Sequence, residues 1–144
     1  MVNTGPRLIS FSRKFMRKLY PIYIKGDFKN FAPPGLRPSK FVIEAEKYST
    51  SSFYYASRAC LDTSTASKKI LERTVEKLHQ RLNGFFSKSI ASEADEHERL
   101  PYKTFNYFTA GNNSPTLLIG WGYNESKKFM GYYFEITLYT TVHD

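Results

Sequence analysis

The chain has little of several things, and each shortage excludes something. It holds one cysteine, Cys60, in 144 residues. An intrachain disulfide framework and a cysteine-built zinc site are therefore both excluded. Histidine is limited to His79, His97 and His143. His79, in the predicted helix, has no histidine or carboxylate four residues away, where Val75 and Asn83 stand, so it lacks the spacing at which two ligands on one face hold a metal. No uncharged apolar run approaches the ~20 residues that carry a helix across a bilayer. A phosphate loop of the Gly-x-x-x-x-Gly-Lys-Ser/Thr type is missing, and so is a Gly-x-Ser-x-Gly nucleophile elbow. No metal, cofactor or catalytic set is expected on these grounds. Acid is absent from the start of the chain, where Asp27 is the first carboxylate. Proline is scarce in the rest of it, since five of the seven prolines precede residue 39.

Aromatic residues are abundant. Twelve Phe and eleven Tyr contribute to a composition 41% hydrophobic and 17% aromatic, enough to fill the core of one domain. The charge is unevenly placed. Residues 1–43 carry nine basic side chains against Asp27 alone, whereas residues 44–144 carry twelve of each sign, so the whole net charge of +8 lies in the first third. A basic arm (residues 1–40) joined to a neutral body (residues 41–144) follows, and such an arm points to an anionic partner. Nucleic acid, anionic lipid and an acidic protein face all fit; a merely solvated tail is the plain alternative.

Residues 8–20 divide on a helical wheel. Leu8, Phe11, Phe15, Met16, Leu19 and Tyr20 share one arc, while Arg13, Lys14, Arg17 and Lys18 share the other. This pattern predicts a basic amphipathic helix that stops before Pro21. Phe11, Phe15 and Leu19 would anchor it to a partner. Arg13, Lys14, Arg17, Lys18, Lys25, Arg37 and Lys40 would meet an anionic surface. The same composition suits an organellar targeting segment, or a helix packed on the chain's own core. Residues 26–40 contain three prolines and two glycines and predict an extended connector that could lie on another molecule or wrap its own domain.

In the body, Phe41–Lys47 alternates as a half-buried strand, and Phe53–Cys60 is read as a second strand. Leu71, Val75, Leu78, Leu82 and Phe85 form one stripe and predict a helix over residues 65–83. Asp62, Thr63 and Ser64 are the candidate N-caps, and Asn83-Gly84 is the candidate left-handed C-terminal cap. Ile90–Arg99, rich in Glu and Asp, reads as an exposed acidic loop. Three aromatic strands follow at Lys103–Thr109, Thr116–Tyr123 and Gly131–Val142, broken by the turn Gly111–Pro115 and a hairpin loop at Asn124–Lys128. The fold class is α+β: an antiparallel sheet of about five strands with one long amphipathic helix on it, preceded by the basic helix and the proline-rich connector.

Local look-alikes carry little weight. Tyr123 and Lys127 have a dehydrogenase-like spacing, and Gly120-Trp121-Gly122 begins like a dinucleotide loop, but Glu125 occupies the third glycine position. Gly131, Tyr132 and Phe134 echo an RNA-binding aromatic strand without the helix that should follow it. Asn124-Glu125-Ser126 fits a glycosylation acceptor, read as idle because no apolar signal core precedes it. Cys60 reads as a buried, hydrophobe-like thiol and His79 as a boundary residue of the helix.

The function these features favour is a non-catalytic accessory or structural subunit of a larger assembly; an organellar (mitochondrial) complex suits the arm, and the cytoplasm is the alternative location. The subunit would contact other protein subunits through its aromatic body, and RNA or an anionic membrane surface through its arm, with no transmembrane span. An RNA- or DNA-binding module, with Lys103, Lys127 and Lys128 beside base-stacking aromatics, is one alternative. A small enzyme with a helix–sheet pocket, drawing on Tyr107, Tyr133, Glu135 and His143, is another.

Overall fold

The computed structural model describes residues 31–47, 52–94 and 100–141. The elements are β1 (Lys40–Lys47), β2 (Ser52–Cys60), α1 (Thr65–Leu82), a short 3-10 turn (Asn83–Phe85), β3 (Lys88–Glu93), β4 (Tyr102–Phe108), β5 (Leu117–Glu125) and β6 (Met130–Thr141). The strands form one antiparallel sheet of six in the order β1-β2-β6-β5-β4-β3. Among the described residues, the α+β class and one long helix on an antiparallel sheet are as expected, but the sheet has six strands where about five were expected. The sixth is β3, whose residues straddle the start of the expected acidic loop. Its side chains are exposed apart from a half-buried Ser89, so no alternation marks it in the sequence, and its conformation comes from backbone pairing with β4.

Helix α1 forms where the stripe places it. Leu71, Val75, Leu78 and Leu82 are buried against β5 and β6. Its start is capped locally: the Ser67 N–H donates to Ser64 Oγ at 3.1 Å, which satisfies one of the first-turn donors. The C-terminus differs from expectation. Asn83 is right-handed and closes on His79 O, and the chain tightens into the 3-10 turn. That turn rotates Phe85 off the stripe and leaves it 47% exposed. Gly84 is not in the left-handed region.

The core lies between α1 and one sheet face. Phe105, Tyr107, Leu117, Ile119, Trp121, Phe134, Ile136, Leu138 and Ala59 belong to it. Sheet register explains the set: Phe105 stands beside Ile119 and Ile119 beside Ile136, so alternate residues of three strands share a face. The core also reaches back to Phe31 and Leu36, which the sequence assigns to the arm's connector. Pro34 and Gly35 (φ +94°) sit at the centre of a turn closed by Leu36 N–H to Pro33 O at 3.2 Å. Proline in second place and a positive φ in third are the requirements of a type II turn, and the turn aims Leu36 inward. Of the described connector, residues 31–39, at least this part wraps its own domain. The expected basic helix over residues 8–20 lies outside the described residues. No described helix is long and apolar enough to cross a membrane.

Candidate functional site

Polar groups gather at two places on opposite faces of the sheet. On the helix side, His79 is half-buried. Its Nδ1 lies 2.8 Å from the Tyr107 hydroxyl, and its ring stacks on Phe105 with centroids 3.8 Å apart and planes 9° from parallel. Helix periodicity puts His79 one position beyond Leu78, at the stripe's edge. Strand alternation puts Phe105 and Tyr107 on the same face beneath it. Burial pushes the His79 pKa down, Glu76 pulls it up, and Lys103 pushes it down further. Burial, then the charge of Glu76, raises the Tyr107 phenol above its ordinary range. A neutral imidazole accepting from a protonated phenol is the arrangement that these effects favour.

On the other face, Arg58 of β2 and Glu135 of β6 stand opposite each other in register. Arg58 Nε donates to Glu135 Oε1 at 2.7 Å, with the glutamate side chain only 14% exposed. Thr137 Oγ1 donates to Glu135 Oε2 at 3.2 Å, and the Arg58 guanidinium lies 5.1 Å from the Tyr133 ring centroid. This is a charge-assisted, shielded pair. A one-residue slip of β2 against β6 would carry Arg58 to the other face and strand a shielded carboxylate, so the pair fixes the register as well as holding it. Tyr133 also folds across Gly122, where its hydroxyl would lie 2.5 Å from any added Cβ.

Cations lie over rings elsewhere too. Lys68 Nζ is 5.8 Å from the Trp121 centroid, Lys103 Nζ is 5.3 Å from Phe105, and Lys88 Nζ is 4.8 Å from Phe108. Trp121, Tyr123 and Tyr132 adjoin one another beside the start of α1. Desolvation strengthens such contacts. Lys68 is thus turned to Trp121, a contact its i,i+4 spacing with Glu72 does not foretell.

The sequence-named residues divide as follows. Tyr107 lies on the α1 side of the sheet and Tyr133 and Glu135 on the opposite side, so these three do not converge; His143 lies outside the described residues. Phe11, Phe15, Leu19, Arg13, Lys14, Arg17, Lys18 and Lys25 also lie outside them. Arg37 and Lys40 are exposed. The Lys40 ammonium donates to the Lys128 carbonyl and sits 5.6 Å from the Phe129 ring, which ties it to the β5–β6 hairpin. Lys127 and Lys128 are exposed in that hairpin. Asn124 donates to Phe129 O at 2.8 Å, so the glycosylation-like asparagine closes the hairpin. Cys60 is buried and its thiol is raised by burial, with Lys40 and Arg58 opposing. No group of three or more metal-ligating side chains occurs among the described residues.

Sequence reasoning misses Arg58. One signal was available: a lone arginine inside the run Ala56, Ser57, Ala59, Cys60 implies a paired charge. Its partner is 77 residues away and no local pattern reports that. Comparison with protein-family models, curated proteins and solved structures gave no match to this chain.

Proposed function

We propose that the protein is a non-catalytic accessory subunit of a larger assembly, reaching an anionic or acidic surface through residues 1–40 and protein neighbours through its aromatic-rich body. The observation that carries this reading is the placement of the whole +8 charge in residues 1–43, beside a body with twelve charges of each sign. An arm so charged favours association with an opposite potential. Phe11, Phe15 and Leu19 would supply apolar anchoring. Arg13, Lys14, Arg17, Lys18, Lys25, Arg37 and Lys40 would supply the charge, with Lys40 doing so from the hairpin edge. A mitochondrial complex suits the arm's composition, which is basic and poor in acid.

A second reading, a nucleic-acid-binding module, rests on the same basic arm, whose Arg13, Lys14, Arg17 and Lys18 would meet phosphates. One experiment separates the two. The tagged full chain is sedimented from gentle lysate with and without nuclease, beside a variant with Arg13, Lys14, Arg17 and Lys18 changed to Gln. The assembly reading expects co-migration with a large particle that survives nuclease and is lost in the variant. Collapse on nuclease treatment, with affinity falling steeply as salt rises, supports the second reading instead. Migration near the chain mass in every condition refutes both.

A further inference from the structure

Strand β3 ends the sheet on the side opposite β1. Its side chains are exposed or half-buried, and Ile90 is 50% exposed. The direction of its backbone groups follows from its ladder. Ala94 N–H bonds Tyr102 O at 3.1 Å, and the register pairs Lys88 with Phe108, Ile90 with Asn106 and Ser92 with Thr104. In an antiparallel ladder both polar groups of one residue point to the same side, and the side alternates along the strand. Lys88, Ile90 and Ser92 therefore bond β4. The N–H and C=O groups of Ser89, Ala91 and Glu93 point away from the sheet, and no described segment pairs with them. Such an edge is a template for another strand. Lys88–Glu93 contains no proline, and its two charged side chains stand at the ends of the strand.

We propose that β3 pairs with β3 of a second copy of this chain, antiparallel, about a two-fold axis through Ala91. The parity of the ladder selects this register. An outward residue can bond only an outward residue, so Ser89 must face Glu93 of the copy, Ala91 its own counterpart, and Glu93 Ser89 of the copy. These three pairs employ every outward group of the strand in about six backbone hydrogen bonds. A shift of two residues either way leaves some of them unused. Charge agrees with the pairing. Glu93 meets a serine hydroxyl, Lys88 meets Ala94 of the copy, and no like charges stand opposite each other. The two Ile90 side chains become diagonal neighbours across the axis and shelter one another. The result is a closed, isologous dimer with one sheet continuous across the axis.

The test is sedimentation velocity of the full chain from about 1 to 200 µM, where the expected outcome is a mass rising from 16.7 kDa toward twice that value. Ala91→Pro removes an outward N–H without touching the β4 ladder, a position at which edge strands accept proline. It is expected to weaken dimerisation at least tenfold while thermal unfolding stays close to wild type. Ile90→Lys, which brings two cations together across the axis, is a second variant expected to act the same way and guards against misfolding of the first. Register is read by cross-linking. Ala91→Cys places two thiols on residues about 5.5 Å apart at Cα, within the 4.4–6.8 Å span of a disulfide, and should give a covalent dimer under mild oxidation. Ser89→Cys faces Glu93 of the copy and should not. A monomer throughout the range, a dimer unaffected by either variant, open-ended oligomers, or equal cross-linking at residues 89 and 91 would each overturn the proposal.

Discussion

Gly120→Ala is expected to be among the most damaging single-methyl additions to this fold. Gly120 stands opposite Thr104 in the β4–β5 ladder. A Cβ built there would lie 2.5 Å from the Lys103 carbonyl oxygen, 2.6 Å from Thr104 Cγ2 and 2.9 Å from Thr104 Cα. Two of those three atoms are backbone, so relief requires β4 and β5 to separate in mid-sheet, beside the register pairs that hold Phe105 and Trp121 in the core. Overpacking of a filled site costs about 1–3 kcal/mol. Restricting the unfolded chain by replacing glycine returns about 0.4–1 kcal/mol. The net expectation is a loss of about 1–2 kcal/mol, or a fall in Tm of roughly 4–12 °C for a domain of this size. Urea and thermal unfolding measure it, with an unchanged m-value showing that the compactness of the end states is preserved. Two internal comparisons sharpen the test. At Gly122 an added Cβ would meet the Tyr133 hydroxyl oxygen at 2.5 Å, but that is the far end of a ring able to swing, so Gly122→Ala should cost less. At Gly84 nothing lies within 4 Å, and Gly84→Ala should leave Tm unchanged or slightly raised. If Gly120→Ala melts with Gly84→Ala, the close approach of β4 to β5 is refuted.

Other outcomes follow from the same contacts. Tyr107→Phe removes the hydroxyl that His79 bonds at 2.8 Å and should cost about 1 kcal/mol in urea unfolding, since the half-buried imidazole can regain only part of its hydration. The lowered pKa of His79 makes the neutral ring the folded form, so the unfolded chain binds the proton more readily. Stability should be complete above the unfolded value of about 6.5 and should fall as pH drops through it toward the folded value. His79→Gln should flatten that part of the profile, and an unchanged slope would assign it elsewhere. Ser64→Ala removes the cap that Ser67 N–H uses and should cost about 1 kcal/mol. Because Asp62 Oδ1 also accepts from Ser64 and Ser67, which lowers its pKa, the wild-type cap should weaken as pH falls below the ordinary aspartate value near 3.9.

Much of the fold is legible in the sequence because its signals are local. The spacing of Leu71, Val75, Leu78 and Leu82 specifies a helix with one buried stripe whatever lies beneath it, and Ser64 marks its start from three residues away. The alternation of Phe134, Ile136 and Leu138 with Glu135 and Thr137 specifies a strand with two unlike faces. The unequal sharing of charge between residues 1–43 and the remainder is likewise a property of the chain alone. None of these depends on which distant segment arrives as a neighbour.

What tertiary structure decided is everything that depends on such arrivals. Lys88–Glu93 becomes a strand only because β4 offers it a ladder; its own side chains, exposed apart from a half-buried Ser89, carry no period to read. Arg58 finds Glu135, and His79 finds Tyr107, through the sheet order and the crossing of α1, and pairing across 77 and 28 residues leaves no trace in spacing. Phe31 and Leu36 look like part of a connector until the turn at Pro34-Gly35 sends them into the core. Gly84 has the composition of a left-handed cap, yet the chain leaves α1 in a 3-10 turn toward β3. Local preferences of a fraction of a kcal/mol set the elements, and burial of the apolar face they share, worth several kcal/mol per large side chain removed, sets which of them meet.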